Sequence, residues 1–286
     1  MLSTSKHITN SVHNQTVILI MEPKTSLIIS TYNNADALAL LLKSVRLQSV
    51  LPEEVIVADD GSGEITQELI AREKEIFPVP LIHVWQPDEG FRLAHIRNKA
   101  IAQAQYDYLI SIDGDIILHR HFIRDHKAFA EKGCFIQGGR VILFEAASKK
   151  MLQKSDTLVS YFNPAIYNRH NTIASPFLAR LFTRVRAQSV RRIRGCNASF
   201  WKNDLINING YNELFIGWGS EDKELAVRLY NSGVKLKVIK FGAVCYHLHH
   251  KLKVNNRRLE RNNQLLKEAQ RLKIVKCQEG ISKYLH

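Results

Sequence analysis

Residues 109 to 118 read LISIDGDIIL, an apolar run broken by Asp113, Gly114 and Asp115. Two carboxylates one residue apart at the end of a buried-type strand are costly to hold together unless something positive sits between them. A hard divalent cation such as Mg²⁺ or Mn²⁺ takes oxygen ligands and keeps positions for water and substrate phosphates. Asp-Gly between apolar runs is also a hairpin signal, so on this stretch alone a turn competes with a cation site. A second acidic pair, Asp59-Asp60-Gly61-Ser62, also follows an apolar run. It reads either as an Asx-turn capping the next helix, or as a carboxylate that accepts a base N–H while Ser62 and the helix N-terminus face phosphate.

A third cluster lies in FIGWGSEDKELAVRL, residues 215 to 229. Ser220 is a good N-cap, and Glu221 and Asp222 suit the first helical turn, which accounts for the acids structurally. It leaves Gly217-Trp218-Gly219 without a reason. A flexible glycine loop carrying an exposed indole beside a carboxylate suits a sugar, stacked on its apolar face while the carboxylate accepts a hydroxyl proton. The fourth cluster, Cys245-Tyr246-His247-Leu248-His249-His250, offers imidazoles as a third metal ligand. At a strand end His247 and His249 would share a face, and spacing does not choose between them.

These groups need elements to position them. SLIIS, EVIVA, PLIHVW and YLISI read as buried strands, alternating with helical patterns over 35–47, 64–76 and 93–104. That alternation predicts an α/β fold, a Rossmann-like, mostly parallel sheet flanked by helices. Ligands then bind beyond the carboxyl ends of the strands, where Thr31-Tyr32-Asn33, Asp59-Asp60, Gln86-Pro87-Asp88 and Asp113-Gly114-Asp115 gather. Downstream, residues 134–144 read as a strand. FLARLFTRVRAQSVRRIR interleaves apolar residues with arginines, as would a helix lying on an anionic membrane, or an ordinary surface helix over a core. GCNASF is strand-like, 220–230 a helix, KLKVIKFGAVCYH a strand or two, and 255–272 a basic helix.

The net charge of +13 is local. Residues 140–194 hold eleven basic against two acidic residues, +9, and 251–286 hold ten against three, +7, which leaves the remainder at −3. Such patches meet anions: phospholipid headgroups, nucleic acid or a phosphorylated substrate. No run approaches the roughly 18 apolar residues of a membrane span, and the N-terminus does not read as a signal peptide. The four cysteines are scattered without a CxxC pair, so a reduced, cytoplasmic protein is expected.

Together, TSLIISTYN, VIVADDGS and DEGFRLAHIRNKAIAQAQYDYLISIDGDIIL resemble the nucleotide-binding half of family 2 glycosyltransferases. RGCNASFWKNDLININGYNELFIGWGSEDKELAVRL is similar to the galactosyltransferase-type segment of β-1,4-galactosyltransferases and chondroitin-polymerase-like enzymes. The resemblance implies a glycosyltransferase type A catalytic domain over 25–250. Within it, 25–118 would be the nucleotide-binding half, 145–194 a basic insertion open to a membrane and 195–250 the acceptor and metal half. An N-terminal extension (1–24) and a basic helical tail (251–286) would flank it. It further implies inverting transfer from a UDP-sugar to a glycan or lipid-linked glycan acceptor, with Mn²⁺ or Mg²⁺ as cofactor. Thr31 and Tyr32 would line the nucleotide pocket, Asp60 or Asp59 would read the uracil, and Arg97 would face the nucleotide. Asp113 would contact ribose or metal, and Asp115 would be the main metal ligand with His247, while His249 and His250 stay open. Trp218 would border the sugars, Glu221 would help bind the acceptor, and Asp222 would be the general base.

The chain departs from eukaryotic galactosyltransferases in lacking a membrane anchor and their cysteine pattern. That points to surface polysaccharide or lipopolysaccharide synthesis at the inner face of a bacterial plasma membrane. Two rivals fit less of the sequence. A sugar-nucleotide pyrophosphorylase needs a Gly-rich, basic phosphate loop after the first strand, and STYNNADAL is neither, which argues equally against a P-loop or dinucleotide fingerprint. A nucleic-acid-binding protein would explain the basic charge but not the acidic strand ends or GWGSED, so no nucleic-acid partner is expected.

Overall fold

The four apolar runs become strands where the sequence puts them. The structure, a computed structural model, describes residues 22–186, 188–190, 193–250 and 255–285. In the first half β1 (Thr25–Thr31), β2 (Glu54–Asp59), β3 (Leu81–Trp85) and β4 (Tyr108–Asp113) alternate with α1 (Ala35–Arg46), α2 (Glu64–Ile76) and α3 (Leu93–Gln103). There follow β5 (Ile116–Leu118), α4 (Phe122–Phe129), β6 (Cys134–Gln137), β7 (Gly139–Leu143), α5 (Glu145–Lys154) and β8 (Ile166–Tyr167). Next come α6 (Pro176–Phe182), β9 (Arg184–Arg186), β10 (Asn197–Trp201) and α7 (Lys202–Asn207). The described chain closes with α8 (Glu221–Asn231), β11 (Lys235–Val238), β12 (Val244–His247) and α9 (Asn256–Arg271).

Eight strands form one sheet in the order β3-β2-β1-β4-β10-β6-β11-β9. β1 to β4 are mutually parallel, while β10 runs against both β4 and β6. β1 and β2 are buried along their whole length, as strands covered on both faces must be. Alternate side chains go to opposite layers. Leu27 and Ile29 pack with Leu38, Leu41 and Leu42 of α1, whereas Ile28 packs with Ala100 and Ile101 of α3. A second sheet, β5-β12-β7-β8, stands beside the first. β4 and β5 therefore belong to different sheets, and Asp113-Gly114-Asp115 is the corner between them, not a hairpin. Gly114 N–H donates to the Ser30 carbonyl at 2.7 Å, and a Cβ at 114 would lie 2.8 Å from that oxygen.

The downstream half differs from the sequence expectation at several points. The run 134–144 is two strands in two sheets, broken at Gly138, where a Cβ would meet the Ala243 carbonyl and the Asn197 amide at 2.6 Å. FLARLFTRVR is not one helix: α6 ends at Phe182 and the chain turns extended to pair β9 with β11, since edge hydrogen bonds suit β-branched Thr183 and Val185 better than another helical turn. Arg191 and Arg192 of that stretch lie outside the described residues, as do 1–21 of the N-terminal extension and 251–254 of the tail. The rest of the tail is no separate appendage. α9 packs on α8, and a short 3₁₀ turn at Ile281–Tyr284 packs on α3 with Ile281 fully buried.

One buried contact in this frame carries a pH signature. His126 of α4 is 0% exposed, with Nδ1 2.8 Å from Ser199 Oγ and Nε2 2.9 Å from Asn197 Oδ1 on β10. Burial pushes its pKa down to about 4, whereas the unfolded chain protonates histidine near 6.5. Between those values the unfolded chain binds a proton that the folded chain refuses, so stability falls as pH falls through this window. Urea unfolding should show the wild type losing about 2 kcal/mol more than His126→Gln between pH 7 and pH 5. Equal losses would refute the assignment.

Candidate functional site

The carboxyl edge of β1 to β4 forms the floor of the site. Asp59 is wholly buried: Oδ1 accepts from Ser62 N–H at 2.8 Å, and Oδ2 lies 3.0 Å from His83 Nε2. That is the Asx-turn arrangement, so both oxygens already have partners inside the protein. Asp60 is also engaged, accepting from Gln86 Nε2 at 2.5 Å and from Arg92 N–H at 2.8 Å, and burial raises its pKa in spite of these bonds. Thr31 is buried, while Tyr32 is exposed and its hydroxyl donates to Asp88 at 2.8 Å. Asp88 is thus part of this wall, although as an isolated acid after β3 it carried no sequence signal beyond its place at a strand end.

At the centre sits Arg97 of α3. The resemblance sets this residue facing the nucleotide. Only 1% exposed, it donates Nη2 to Asp113 at 2.8 Å, Nη1 to Asp222 at 2.9 Å and Nε to Ser30 Oγ at 3.1 Å, over the Tyr211 ring. Burial works against its charge, but Tyr211, Asp222 and Asp113 outweigh burial and raise its pKa. The carboxyl of Asp113 is pushed up to about 6 by burial, against the pull of Arg97 and with the like charges of Asp115 and Asp222.

Beyond the corner, Leu248 N–H donates to the Asp115 carbonyl at 2.9 Å, which brings the end of β12 against the second acid. His247 Nε2 then lies 3.6 Å from Asp115 Oδ1, and His250 Nε2 lies 3.0 Å from Oδ2. The strand stops at His247, so strand alternation does not govern the three residues after it: His250, not His249, turns back to Asp115. His249 instead donates its backbone N–H to Ser148. One oxygen of Asp115 and one nitrogen from each of His247 and His250 lie within 4.8 Å of one another. His247 Nδ1 donates to the Leu248 carbonyl at 2.9 Å, which leaves the Nε2 lone pair available. Burial lowers the His247 pKa against the attraction of Asp115, and Arg140 pushes the same way. Asp115 stays below the usual carboxylate range because His250 and His247 offset its burial, yet its buried Oδ1 has no hydrogen-bond partner. Two imidazoles facing one carboxylate with an unanswered oxygen fit a divalent cation of the Mn²⁺ type.

The remaining wall is the GWGS turn. Gly217 and Gly219 have φ of 81° and 106°, and Ser220 has φ 73°. Ser220 therefore makes no side-chain cap, contrary to the sequence expectation; its hydroxyl donates to Asn263 Oδ1 of α9 at 2.7 Å. Asn262 Nδ2 donates to the Gly219 carbonyl at 3.0 Å, and a Cβ on either glycine would strike α9. The basic tail helix thus holds the loop that presents Trp218, 41% exposed. Glu221 is buried, and burial with Asp222 beside it pushes its pKa up to about 8, so it carries a proton at neutral pH. Its Oε2 is buried without a partner. The Asp222 carboxylate fills the space over Gly195, where a Cβ would lie 2.1 Å from Oδ1.

With this geometry the comparisons agree. Residues 26–193 match the model of glycosyl transferase family 2, and residues 183–251 match the model described as the N-terminal domain of galactosyltransferase. The chondroitin synthase of Escherichia coli is 27% identical over 237 residues, which are 78% of this chain and 34% of that protein. This chain therefore spans about a third of that relative's length. Among solved structures, Staphylococcus aureus TarS 1-349 in complex with UDP-GlcNAc superposes with a TM-score of 0.62 at 15% identity, covering 91% of this chain and 69% of that one. GalNAc-T7 with UDP, GalNAc and Mn²⁺ does so with a TM-score of 0.62 at 15% identity, over 86% and 48%. At such identities the likeness is one of fold, the glycosyltransferase type A arrangement.

Calorimetric titration with Mn²⁺ discriminates among the histidines. Asp115→Ala and His250→Ala should weaken binding by roughly tenfold or more, and His249→Ala by no more than about twofold. Comparable losses in His249→Ala and His250→Ala would overturn the ligand set.

Proposed function

The chain belongs to glycosyl transferase family 2, and from that premise we propose that it transfers a hexose or N-acetylhexosamine from a UDP-sugar, with inversion, to a glycan or lipid-linked glycan acceptor. The observation that carries the reading is Arg97 holding Asp113 and Asp222 on opposite sides of one guanidinium. It ties the carboxylate of α8 to the acidic corner of the sheet, so that a base for the acceptor and the acids of the donor side belong to one site. The UDP-GlcNAc and UDP named with the structural neighbours support a uridine donor. The chondroitin synthase relative supports a polysaccharide product.

Each group then has a role. Tyr32 and Asp88, with Asp60 behind them, border the base, and Asp113 faces the ribose side. Asp115, His247 and His250 would hold the divalent cation, which when bound neutralises charge on the departing diphosphate. Trp218 offers its ring face to the acceptor sugar. Glu221, protonated, donates a hydrogen bond that a carboxylate could not. Asp222 takes the proton of the attacking hydroxyl as its oxygen bonds to the anomeric carbon and the bond to the diphosphate oxygen breaks. An α-linked donor gives a β-linked product in this single displacement, without an enzyme nucleophile.

The basic insertion is proposed to rest on an anionic membrane surface, at the inner face of the plasma membrane for a lipid-linked acceptor. Phe177 and Leu181 of α6 and Phe162 before it are more than half exposed, and Arg180, Arg184 and Arg186 stand exposed among them. Apolar side chains interleaved with cations suit the headgroup boundary. No helix among the described residues is long and apolar enough to cross a membrane.

Asp222→Asn should leave Mn²⁺-dependent UDP binding in place and slow transfer from UDP-sugars by about a hundredfold or more; near-normal turnover would exclude Asp222 as the base. For the membrane, the chain should float with liposomes containing anionic lipid and not with neutral ones, and Phe177→Glu with Leu181→Glu should abolish flotation. Equal flotation with both lipid types, or none with either, would refute the contact.

A further inference from the structure

Among the described residues, a half-buried guanidinium beside the site has no carboxylate in ion-pair contact with it. Arg140 lies on β7, opposite Cys245 in the parallel pairing with β12, while Ile142 lies opposite His247. Residues two apart share a face, so Arg140 and His247 project to the same side of this sheet. Its Nη1 reaches Cys196 Sγ at 3.7 Å, a weak acceptor, and its Nε is buried without a partner. Among the described residues no carboxylate forms an ion pair with it. Asp115, at the near corner of the sheets, is turned toward the two histidines.

Its neighbours define its place. Cys196 follows Gly195, the residue on which the Asp222 carboxylate packs. On the other flank the charge of Arg140 reaches His247. The guanidinium thus occupies the ground between the proposed base and the proposed metal group. A guanidinium whose buried Nε has no partner and whose fork meets only a thiol is completed by an anion. The anion that must lie beside the divalent cation is the diphosphate of the donor. A guanidinium fork answers two phosphate oxygens at once, which an ammonium cannot do.

We propose that Arg140 is a ligand of the donor diphosphate, a second cation that shares with the metal the charge left when the sugar departs. The proposal rests on the sugar-nucleotide reading above and adds a residue to it.

Titration calorimetry on the full chain in Mn²⁺, with UDP and UMP as separate ligands, tests it. Arg140→Ala should weaken UDP binding by roughly tenfold or more while UMP changes by less than about twofold, so the preference for UDP over UMP collapses. Arg140→Lys, which keeps the charge and loses the fork, should fall between. Unchanged UDP affinity in Arg140→Ala would overturn the proposal. So would a parallel loss of UDP and UMP, the mark of a merely structural role. If the wild type takes up neither nucleotide in Mn²⁺, the sugar-nucleotide reading itself falls and Arg140 with it. Where the wild type binds UDP, the variants decide on Arg140 alone.

Discussion

A guanidinium sealed from water must be answered by anions, and Arg97 dictates much of what surrounds it. Its three nitrogens address three elements: Ser30 on β1, Asp113 at the end of β4, and Asp222 in the first turn of α8. Those partners are 67, 16 and 125 residues away along the chain. The one cation therefore ties the sheet edge to the helix beyond the GWGS turn. The next residue continues the task by other means. Asn98 donates to the Tyr211 carbonyl and accepts from the Tyr211 N–H, both at 2.8 Å, and so fixes the ring that lies under Arg97. Glycine at 195 is required as well, because the Asp222 carboxylate that Arg97 holds leaves no room there for a side chain.

Four carboxyl groups crowd this space, and they do not all carry charge. Asp115 stays ionised beside its histidines, whereas Glu221 keeps its proton until about pH 8 because burial and the neighbouring Asp222 outweigh the pull of Arg97. Neighbouring acids pushed to different protonation states can take different roles, one accepting a proton and the other donating a hydrogen bond. The neutral state of Glu221 also relieves repulsion, because the Asp222 and Asp113 beside it already draw on Arg97.

What the sequence revealed and what it hid divide along one physical line. β1 to β4, their helices and the acidic corner were legible because each is written in a local pattern: a buried apolar run, a helical period, a breaking Asp-Gly-Asp. Asp222 was legible as an acid in a first turn behind an unexplained glycine pair. The break at Gly138 was not, because it is imposed by Ala243 and Asn197 from elsewhere in the chain. His250 could not be told from His249, since the choice depends on Leu248 pairing with Asp115 after the strand has ended. In the sequence Arg140 is one of eleven basic residues between 140 and 194, with nothing local to set it apart. Only the sheet register shows that it shares a face with His247 and so belongs beside the site.

The tail helix makes the same point from the other side. By charge, α9 reads as a solvated basic segment, and most of its arginines and lysines are exposed. Its buried positions are Asn262 and Ala269, of which the first, with neighbouring Asn263, holds the carbonyl of Gly219 and the hydroxyl of Ser220. A turn with Gly217, Gly219 and Ser220 all at positive φ is a conformation that L side chains rarely adopt unaided, so its backbone needs outside partners. Amides supply them where charges could not, because an amide can be buried against a carbonyl without a counter-ion. A run of charge therefore describes the face a helix turns to water and is silent about the opposite one. Here that opposite face supports the loop carrying Trp218 into the helix of Glu221 and Asp222.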